Sequence, residues 1–240
     1  MFKKIILTAL ILTVSIAVHA QKNERIKGNG NVVTVNRTTS NFDGVSVGGS
    51  FDVILVKGKE GKIIIEGEEN IIPFIVTEKE GDLLQIKFKK NTNINTTKKL
   101  TVTVYFESIE KVSLAGSGNI ICKETIKSSD FAVALGGSGN ITLKVDAKEI
   151  SSNIGGSGNI ELTGTSNEIT CSIAGSGSIK AFELKTDELN ANIAGSGSVN
   201  ATVKTKIKAK IVGSGSVYYK GNPTDIDTKS VGSGSVIDKN

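Results

Sequence analysis

The sequence predicts an all-β fold, a β-solenoid whose coils are about 19 residues long. The first observation is the phrase Gly-Ser-Gly-[Asn/Ser]-[Ile/Val], which recurs seven times at a nearly constant interval after residue 110. The second is that each interval contains two short runs of alternating apolar and polar residues, as in half-buried strands. The third is that no stretch keeps helical spacing over ten or more residues.

The glycines of the repeated phrase are predicted to build sharp corners between strands. A sharp corner requires a positive φ or a close backbone approach, and glycine allows both without steric cost. The phrases show no Gly-Lys-Ser/Thr, no GxGxxG before a helix and no acidic residue, which argues against phosphate, dinucleotide and calcium sites. No cofactor is therefore expected. The predicted corner residues are Gly116, Gly118, Gly137, Gly139, Gly156, Gly158, Gly175, Gly177, Gly195, Gly197, Gly213, Gly215, Gly232 and Gly234.

The residue that follows each Gly-Ser-Gly is always Asn or Ser, and we expect these residues to stack at one corner. Such a stack would satisfy side-chain amides and hydroxyls between neighbouring coils. The functional alternative is a polar binding stripe. The predicted polar ladder consists of Asn119, Asn140, Asn159, Ser178, Ser198, Ser216 and Ser235.

The middle inward residue of the second strand in each coil has a small to medium side chain, whereas the inward residues on either side of it are almost always large. A narrow solenoid needs this regularity, because each residue stacks on its counterpart one coil along, about 4.8 Å away. The five middle residues are Val133, Ser152, Cys171, Ala191 and Ala209.

Residues 1–20 have the features of a secretory signal peptide. Lys3 and Lys4 precede a mostly apolar run, and small residues precede a predicted cleavage site between Ala20 and Gln21. The apolar run is too short for a comfortable membrane span. We therefore expect an exported mature chain without a transmembrane segment, and a retained N-terminal anchor is the alternative.

Cleavage would also limit the chemistry of the chain. The single histidine, His19, lies in the signal peptide, so the mature chain is expected to lack histidine-dependent catalysis and histidine metal ligation. Loss of Lys3 and Lys4 lowers the formal net charge from +5 to +3. Arg25 and Arg37 are the only arginines and aromatic residues are few, so nucleic acid is not an expected partner.

Residues 21–110 are strand-rich but lack the strict period, whereas residues 111–240 carry the repeat. The segment 45–53 aligns with 112–120, which predicts an insertion of roughly 45 residues in the first coil. We expect a wider, partly antiparallel β cap continuous with the solenoid; an independent sandwich domain is the alternative. The expected strands are 62–66, 71–77, 83–89 and 100–106, with a hairpin turn at 80–82 and a polar loop at 91–99.

The two cysteines are predicted to be free. Cys122 falls in a first strand and Cys171 in a second strand about two coils later. Two coils correspond to an axial rise of about 10 Å, beyond the Cα separation of about 7 Å that a disulfide allows. Both cysteines occupy positions that are apolar in the strand alternation, so we expect buried thiols that act as small core residues. Two cysteines without histidine make no metal site.

Carboxylates raise the alternative of a polysaccharide-acting enzyme, because some β-helix enzymes carry clustered acidic and basic residues on one face. The densest cluster, Glu66, Glu68 and Glu69, is predicted to lie in a solvated loop. No catalytic residue is therefore assigned. The acidic residues of the repeat region are expected to be spread over turns rather than aligned in a groove: Glu161, Glu168, Asp187, Glu188, Asp225 and Asp227.

Three features of the sequence carry a family resemblance. The segments Phe42-Asp43-Gly44-Val45 and Ser50-Phe51-Asp52-Val53 and the repeated Gly-Ser-Gly-Asn-Ile blocks, behind a signal peptide, resemble the head GIN domain family. Its members are exported bacterial proteins, common in Bacteroidota and known as "putative auto-transporter adhesins". The resemblance covers nearly all of the mature chain. It implies a right-handed parallel β-helix without catalysis, and it transfers no ligand residues because the family motif consists of glycine corners.

The sequence thus predicts a non-catalytic, adhesin-like binding or structural protein of the cell envelope. We expect it in the periplasm, at the outer-membrane surface or outside the cell. Its repeated surface is expected to bind an envelope or host glycan or another protein, and free strand edges favour homo-oligomers. A polysaccharide-acting enzyme and a periplasmic component of envelope stress or signalling are the alternatives. Ligand-binding residues are not assigned.

Overall fold

The computed structural model of the protein describes residues 25–240. The predicted signal peptide, with its cleavage site at Ala20 and Gln21, lies outside the described residues. One 3-10 helix spans Ile72–Phe74. The strands are β1 (Arg25–Lys27), β2 (Val32–Thr38), β3 (Gly44–Gly49), β4 (Asp52–Lys57), β5 (Lys62–Glu68), β6 (Ile75–Glu80), β7 (Leu83–Phe88), β8 (Asn93–Asn95), β9 (Thr101–Phe106), β10 (Lys111–Gly116), β11 (Asn119–Gly137), β12 (Asn140–Gly156), β13 (Asn159–Gly175), β14 (Ser178–Gly195), β15 (Ser198–Gly213), β16 (Ser216–Lys220), β17 (Asp225–Gly232) and β18 (Ser235–Asp238).

The chain forms a β-solenoid of about seven turns, which confirms the predicted fold class. Strands β11 to β15 each run through almost one whole coil and pair in parallel with the next. The sequence predicted two separate strands in each coil. The two are continuous because the polar residues between them also pair across coils, as Asp130 does with Glu149.

Bulges absorb the variation in the repeat interval. Between Cys122 and Thr125 the register shifts against β12, where Leu143 is followed directly by Lys144 as their partners. Strand β11 therefore holds two extra residues away from the Gly-Ser-Gly corner. Further shifts lie between β13 and β14 and between β14 and β15. The corners stay stacked because the extra residues bulge out elsewhere in the coil.

The N-terminal half stacks in an order that differs from the chain order. Strand β3 pairs in parallel with β10 on one side and with β7 on the other. Strand β4 likewise pairs with β11 and with β9. The coil built from β7 and β9 therefore lies beneath the coil built from β3 and β4, although it comes later in the chain. The alignment of 45–53 with 112–120 is confirmed, since Val45 pairs with Val112 and Val53 with Ile120.

Antiparallel strands and the 3-10 helix flank the lowest coil. Strand β5 pairs antiparallel with β9 and β2, and β6 forms the expected hairpin with β7. Strand β6 begins at Ile75, later than predicted, because the 3-10 helix with Pro73 occupies the preceding residues. The segment 91–99 was expected to be a loop, but it contains β8, which pairs with β1.

One continuous hydrophobic core runs from Phe42 to Val217. In the second strand of each coil, the five predicted middle residues stack in one buried column: Val133, Ser152, Cys171, Ala191 and Ala209. Larger aliphatic or aromatic residues flank them in every coil, as Phe131 and Leu135 flank Val133. Burial of each such side chain contributes about 1.5–3 kcal/mol.

Candidate functional site

The Gly-Ser-Gly corners place backbone directly on backbone. At Gly137, φ is +124°, and an added Cβ would overlap the carbonyl oxygen of Gly116 in the preceding coil. At Gly139 a Cβ would overlap the carbonyl oxygen of Gly118. The N–H groups of Ser138 and Gly139 both donate to the Gly116 oxygen at 3.1 Å. The glycines therefore let the backbones of neighbouring coils approach closely enough to form hydrogen bonds, and the corner is narrow because it carries no side chains at these positions.

Asparagine side chains form a hydrogen-bonded row that starts from a carboxylate. Asn119 Nδ2 donates to Asp52 Oδ1 at 2.7 Å, Asn140 Nδ2 to Asn119 Oδ1 at 3.0 Å, and Asn159 Nδ2 to Asn140 Oδ1 at 2.9 Å. Because a carboxylate only accepts, Asp52 fixes the direction in which every amide points. Lys99 Nζ lies 3.0 Å from the other Asp52 oxygen. The sequence prediction missed Asp52, although it occupies the Asn119 position in the aligned segment.

Serines continue this row in the later coils. The hydroxyls of Ser178 and Ser198 lie 3.0 Å apart, and Ser216 and Ser235 follow in register. The structure thus brings together all seven residues of the predicted ladder. Three side-chain hydrogen bonds join five of them to each other, which favours a structural role over a binding stripe.

Both cysteines are free and buried. Cys122 stacks on Leu143 in the first strand of the coil, whereas Cys171 lies between Ser152 and Ala191 in the second strand. Burial raises the pKa of both thiols to about 12. Neither thiol is therefore a thiolate nucleophile at neutral pH.

Glu68 is a structural carboxylate, contrary to the predicted solvated loop. It ends strand β5 and is 1% exposed. Its oxygens accept hydrogen bonds from Thr97 Oγ1 at 2.6 Å, from the N–H groups of Gly30 and Thr97 at 2.7 and 2.8 Å, and from Lys98 N at 3.3 Å. The Thr97 hydroxyl and these N–H groups outweigh burial and lower the pKa of Glu68 to about 2.

Of the other two members of this cluster, Glu66 is exposed and lies on the same strand as Glu68. Glu69 accepts a hydrogen bond from the Asn31 amide at 2.8 Å. The three carboxylates therefore do not converge on a common cleft. The burial of Glu68 could not be predicted from the sequence, because its hydrogen-bond partners come from segments about 30 to 40 residues away.

Four acidic residues form a row that the sequence analysis missed. They stack in register along one margin of the second-strand sheet, one per coil: Asp130, Glu149, Glu168 and Glu188. Only Glu168 and Glu188 had been considered, and they were expected to be spread out. The available signal was an acid directly before the first inward residue of each second strand. A shallow depression of about 490 Å³ adjoins the row, and Lys206 continues it in the next coil.

A second missed surface combines two aromatic rings with lysines on the outer face of the first strands. Lys220 Nζ lies 4.9 Å from the centre of the Phe182 ring, and Lys239 Nζ lies 5.2 Å from the centre of the Tyr218 ring. The signal in the sequence was the alternation along this strand: Val217 points inward, so Tyr218 and Lys220 are at outward positions. We call this the aromatic–lysine surface, and it consists of Lys180, Phe182, Asn200, Thr202, Tyr218, Lys220, Ile237 and Lys239.

Within residues 25–240, no group of three or more His, Cys, Asp or Glu side chains could hold a metal ion. No helix in the same range is long and apolar enough to cross a membrane.

Comparison with known proteins gives a family match over most of the chain. A family model described as "Putative auto-transporter adhesin, head GIN domain" matches residues 41–223. No curated protein matches the chain.

Several solved structures share the fold. A "putative adhesin" from Bacteroides fragilis superposes with a TM-score of 0.83 at 20% identity, covering 89% of this chain and 100% of its own. A "putative lipid binding protein" from Parabacteroides distasonis gives a TM-score of 0.76 at 28% identity, covering 90% and 100%. A "putative adhesin" from Parabacteroides merdae gives 0.71 at 25% identity, covering 90% and 99%.

Proposed function

The chain belongs to the family described as "Putative auto-transporter adhesin, head GIN domain", and on this premise we propose that it is an adhesin-like, non-catalytic binding protein. In this proposal it is exported and acts in the cell envelope or at the cell surface, where its coils present a repeated surface to a glycan or a protein.

The observation that carries the proposal is the register of the coils. Outside the bulges, each outward position recurs at the same place one coil along, about 4.8 Å away. An ordered array of this kind suits a repeating or extended partner better than a small molecule, which would need a deep enclosed pocket. The depression of about 490 Å³ beside the acidic row is shallow and lies on an outer face of the solenoid.

The alternative of a polysaccharide-acting enzyme now has one specific observation in its favour. The acidic row places Glu149 and Glu168 on neighbouring coils beside a depression, where a pair of carboxylates could in principle flank a sugar linkage. Against it, Glu168 accepts a hydrogen bond from Asn190, whereas within residues 25–240 no side-chain hydrogen bond orients Glu149. Incubation of the protein with envelope polysaccharides distinguishes an enzyme from a non-catalytic binding protein. Release of reducing ends that is lost in Glu168→Gln would favour the enzyme.

Location is tested by labelling intact cells with a membrane-impermeant, amine-reactive reagent. Exposed lysines such as Lys180, Lys208 and Lys220 make the folded protein a good target, and a periplasmic protein serves as the control. We expect labelling of this protein while the control stays unlabelled. Labelling of both only after the outer membrane is opened would instead favour the periplasmic stress or signalling alternative.

Lipid is a further candidate ligand, since the Parabacteroides distasonis structure is described as a "putative lipid binding protein". Co-sedimentation of the purified protein with vesicles of neutral and of anionic phospholipids tests this candidate. Adhesin-like binding to glycan or protein predicts that the protein stays in the supernatant with both kinds of vesicle.

A further inference from the structure

We propose that the aromatic–lysine surface is a binding site for an extended polysaccharide that carries carboxylate groups. The inference rests on the proposed binding function and names the ligand class and the surface that it uses.

Both aromatic rings of this surface are half-buried, Tyr218 on a paired strand and Phe182 in a bulge of β14. Phe182 and Tyr218 are half-buried on the outer face of the first strands, whereas Phe42, Phe51, Phe106 and other rings of the chain are part of the core. A half-buried ring presents one face to solvent and has few side-chain conformations to lose on binding. The C–H face of a sugar ring packs well against such an aromatic face, as apolar surfaces do in general.

The lysines give the surface its charge preference. Lys180, Lys220 and Lys239 are exposed, and none of the eight residues of the surface is acidic. The ammonium groups of Lys220 and Lys239 lie over the two rings, but such contacts are weak at exposed sites. A ligand carboxylate can therefore draw the ammonium group aside and form an ion pair, while the sugar ring takes the vacated aromatic face.

The spacing of the surface fits a polymer that runs along the solenoid axis. Lys180, Asn200, Tyr218 and Ile237 occupy the same position in four successive coils. The rise of about 4.8 Å per coil is close to the length of one sugar unit in an extended β-linked chain. Asn200, in the middle of this column, offers an amide that can donate to and accept from sugar hydroxyls.

The test uses two probes that differ in charge and share their linkage. Mannuronan oligomers are β-linked and carry one carboxylate per sugar, whereas β-linked mannose oligomers are neutral. Binding to the purified mature protein is measured by calorimetry at low and at high salt. We expect mannuronan to bind at least about tenfold more tightly than the neutral oligomer and to weaken as salt increases.

Variants then locate the site, and each has a matched control. Tyr218→Ala and Lys220→Glu should each weaken mannuronan binding at least about tenfold. Lys208→Glu makes the same charge change on an exposed residue of the opposite sheet, and Tyr105→Ala removes a ring that also has a lysine over it, Lys62. We expect both controls to bind like the unsubstituted protein, and thermal unfolding must show that all four variants remain folded.

Three outcomes would overturn the inference. The first is equal binding of the charged and neutral oligomers, and the second is equal weakening by Lys208→Glu and Lys220→Glu. The third is binding to anionic phospholipid vesicles without binding to mannuronan. Each of these leaves the proposed function open, since that function is tested separately by location and by adhesion of intact cells.

Discussion

Asn119 Nδ2 donates a 2.7 Å hydrogen bond to Asp52 Oδ1, although 67 residues separate the two in the chain. The contact joins the coil that precedes the insertion to the coil that follows it. Asp52 also lies 3.0 Å from Lys99, which belongs to the insertion. One carboxylate thus anchors the polar row, the inserted segment and the first regular coil.

Asp52→Ala should lower the free energy of unfolding by about 1 kcal/mol or more, because it leaves the Asn119 amide without its charged acceptor. Asp82→Ala is the matched control, since the Asp82 side chain forms an exposed ion pair with Lys79 and such pairs contribute little. Urea denaturation of the two variants measures the difference. Equal stability of both variants would show that the row adds nothing to folding.

Gly137→Ala should destabilise the protein and Gly136→Ala should not, although the residues are adjacent. Gly137 has a positive φ and its Cβ would overlap the carbonyl oxygen of Gly116, whereas the nearest atom to a Cβ at Gly136 lies 3.9 Å away. We expect Gly137→Ala to cost at least about 2 kcal/mol and Gly136→Ala to be neutral or stabilising by up to about 1 kcal/mol. Thermal unfolding of both variants is the measurement, and an equal loss in both would contradict the corner geometry.

Ser152→Ala should be neutral or should stabilise the protein by about 1 kcal/mol. Ser152 is 0% exposed, and within residues 25–240 its hydroxyl has no hydrogen-bond partner. Ser166→Ala is the comparison, because the Ser166 hydroxyl donates to Thr186 Oγ1 at 3.0 Å and its loss should destabilise. Chemical denaturation that ranks Ser152→Ala below Ser166→Ala in stability would refute the assignment.

The stability of the N-terminal half should depend on pH through Glu68. Hydrogen bonds lower the folded-state pKa of Glu68 to about 2, below its ordinary value. The ionised form is therefore favoured in the folded protein, and its stabilising effect is complete above the unfolded pKa and disappears as the pH falls towards about 2. Glu68→Gln should flatten this acid limb in unfolding experiments, whereas Glu66→Gln, an exposed neighbour, should leave it unchanged.

Periodicity was enough to predict the solenoid. The strict interval of the glycine phrase determines which residues stack, so the buried column with Ser152 and Cys171 and the polar row with Asn119 could be predicted residue by residue. The acidic row was equally accessible, since Glu149 and Glu168 precede the first inward residue of their strands. The sequence analysis, however, considered only Glu168 and Glu188 of this row and expected them to be spread out.

The N-terminal half could not be predicted to the same depth. That β7 and β9 stack beneath β3 and β4 follows from long-range pairing, for which a non-repeating segment carries no periodic signal. The burial of Glu68 depends on the N–H groups of Gly30 and Thr97. These are single backbone groups far away in the sequence, so no sequence pattern indicates that they bind Glu68. The aromatic–lysine surface likewise required the register that brings Phe182 under Lys220.

Adhesion of intact cells tests the central claim most directly. Cells with the protein, cells without it and complemented cells are compared for retention under flow on surfaces coated with glycans or matrix proteins. An adhesin-like function predicts that removal of the protein lowers retention on at least one coating and that complementation restores it. Equal retention of all three strains on every coating would contradict the account.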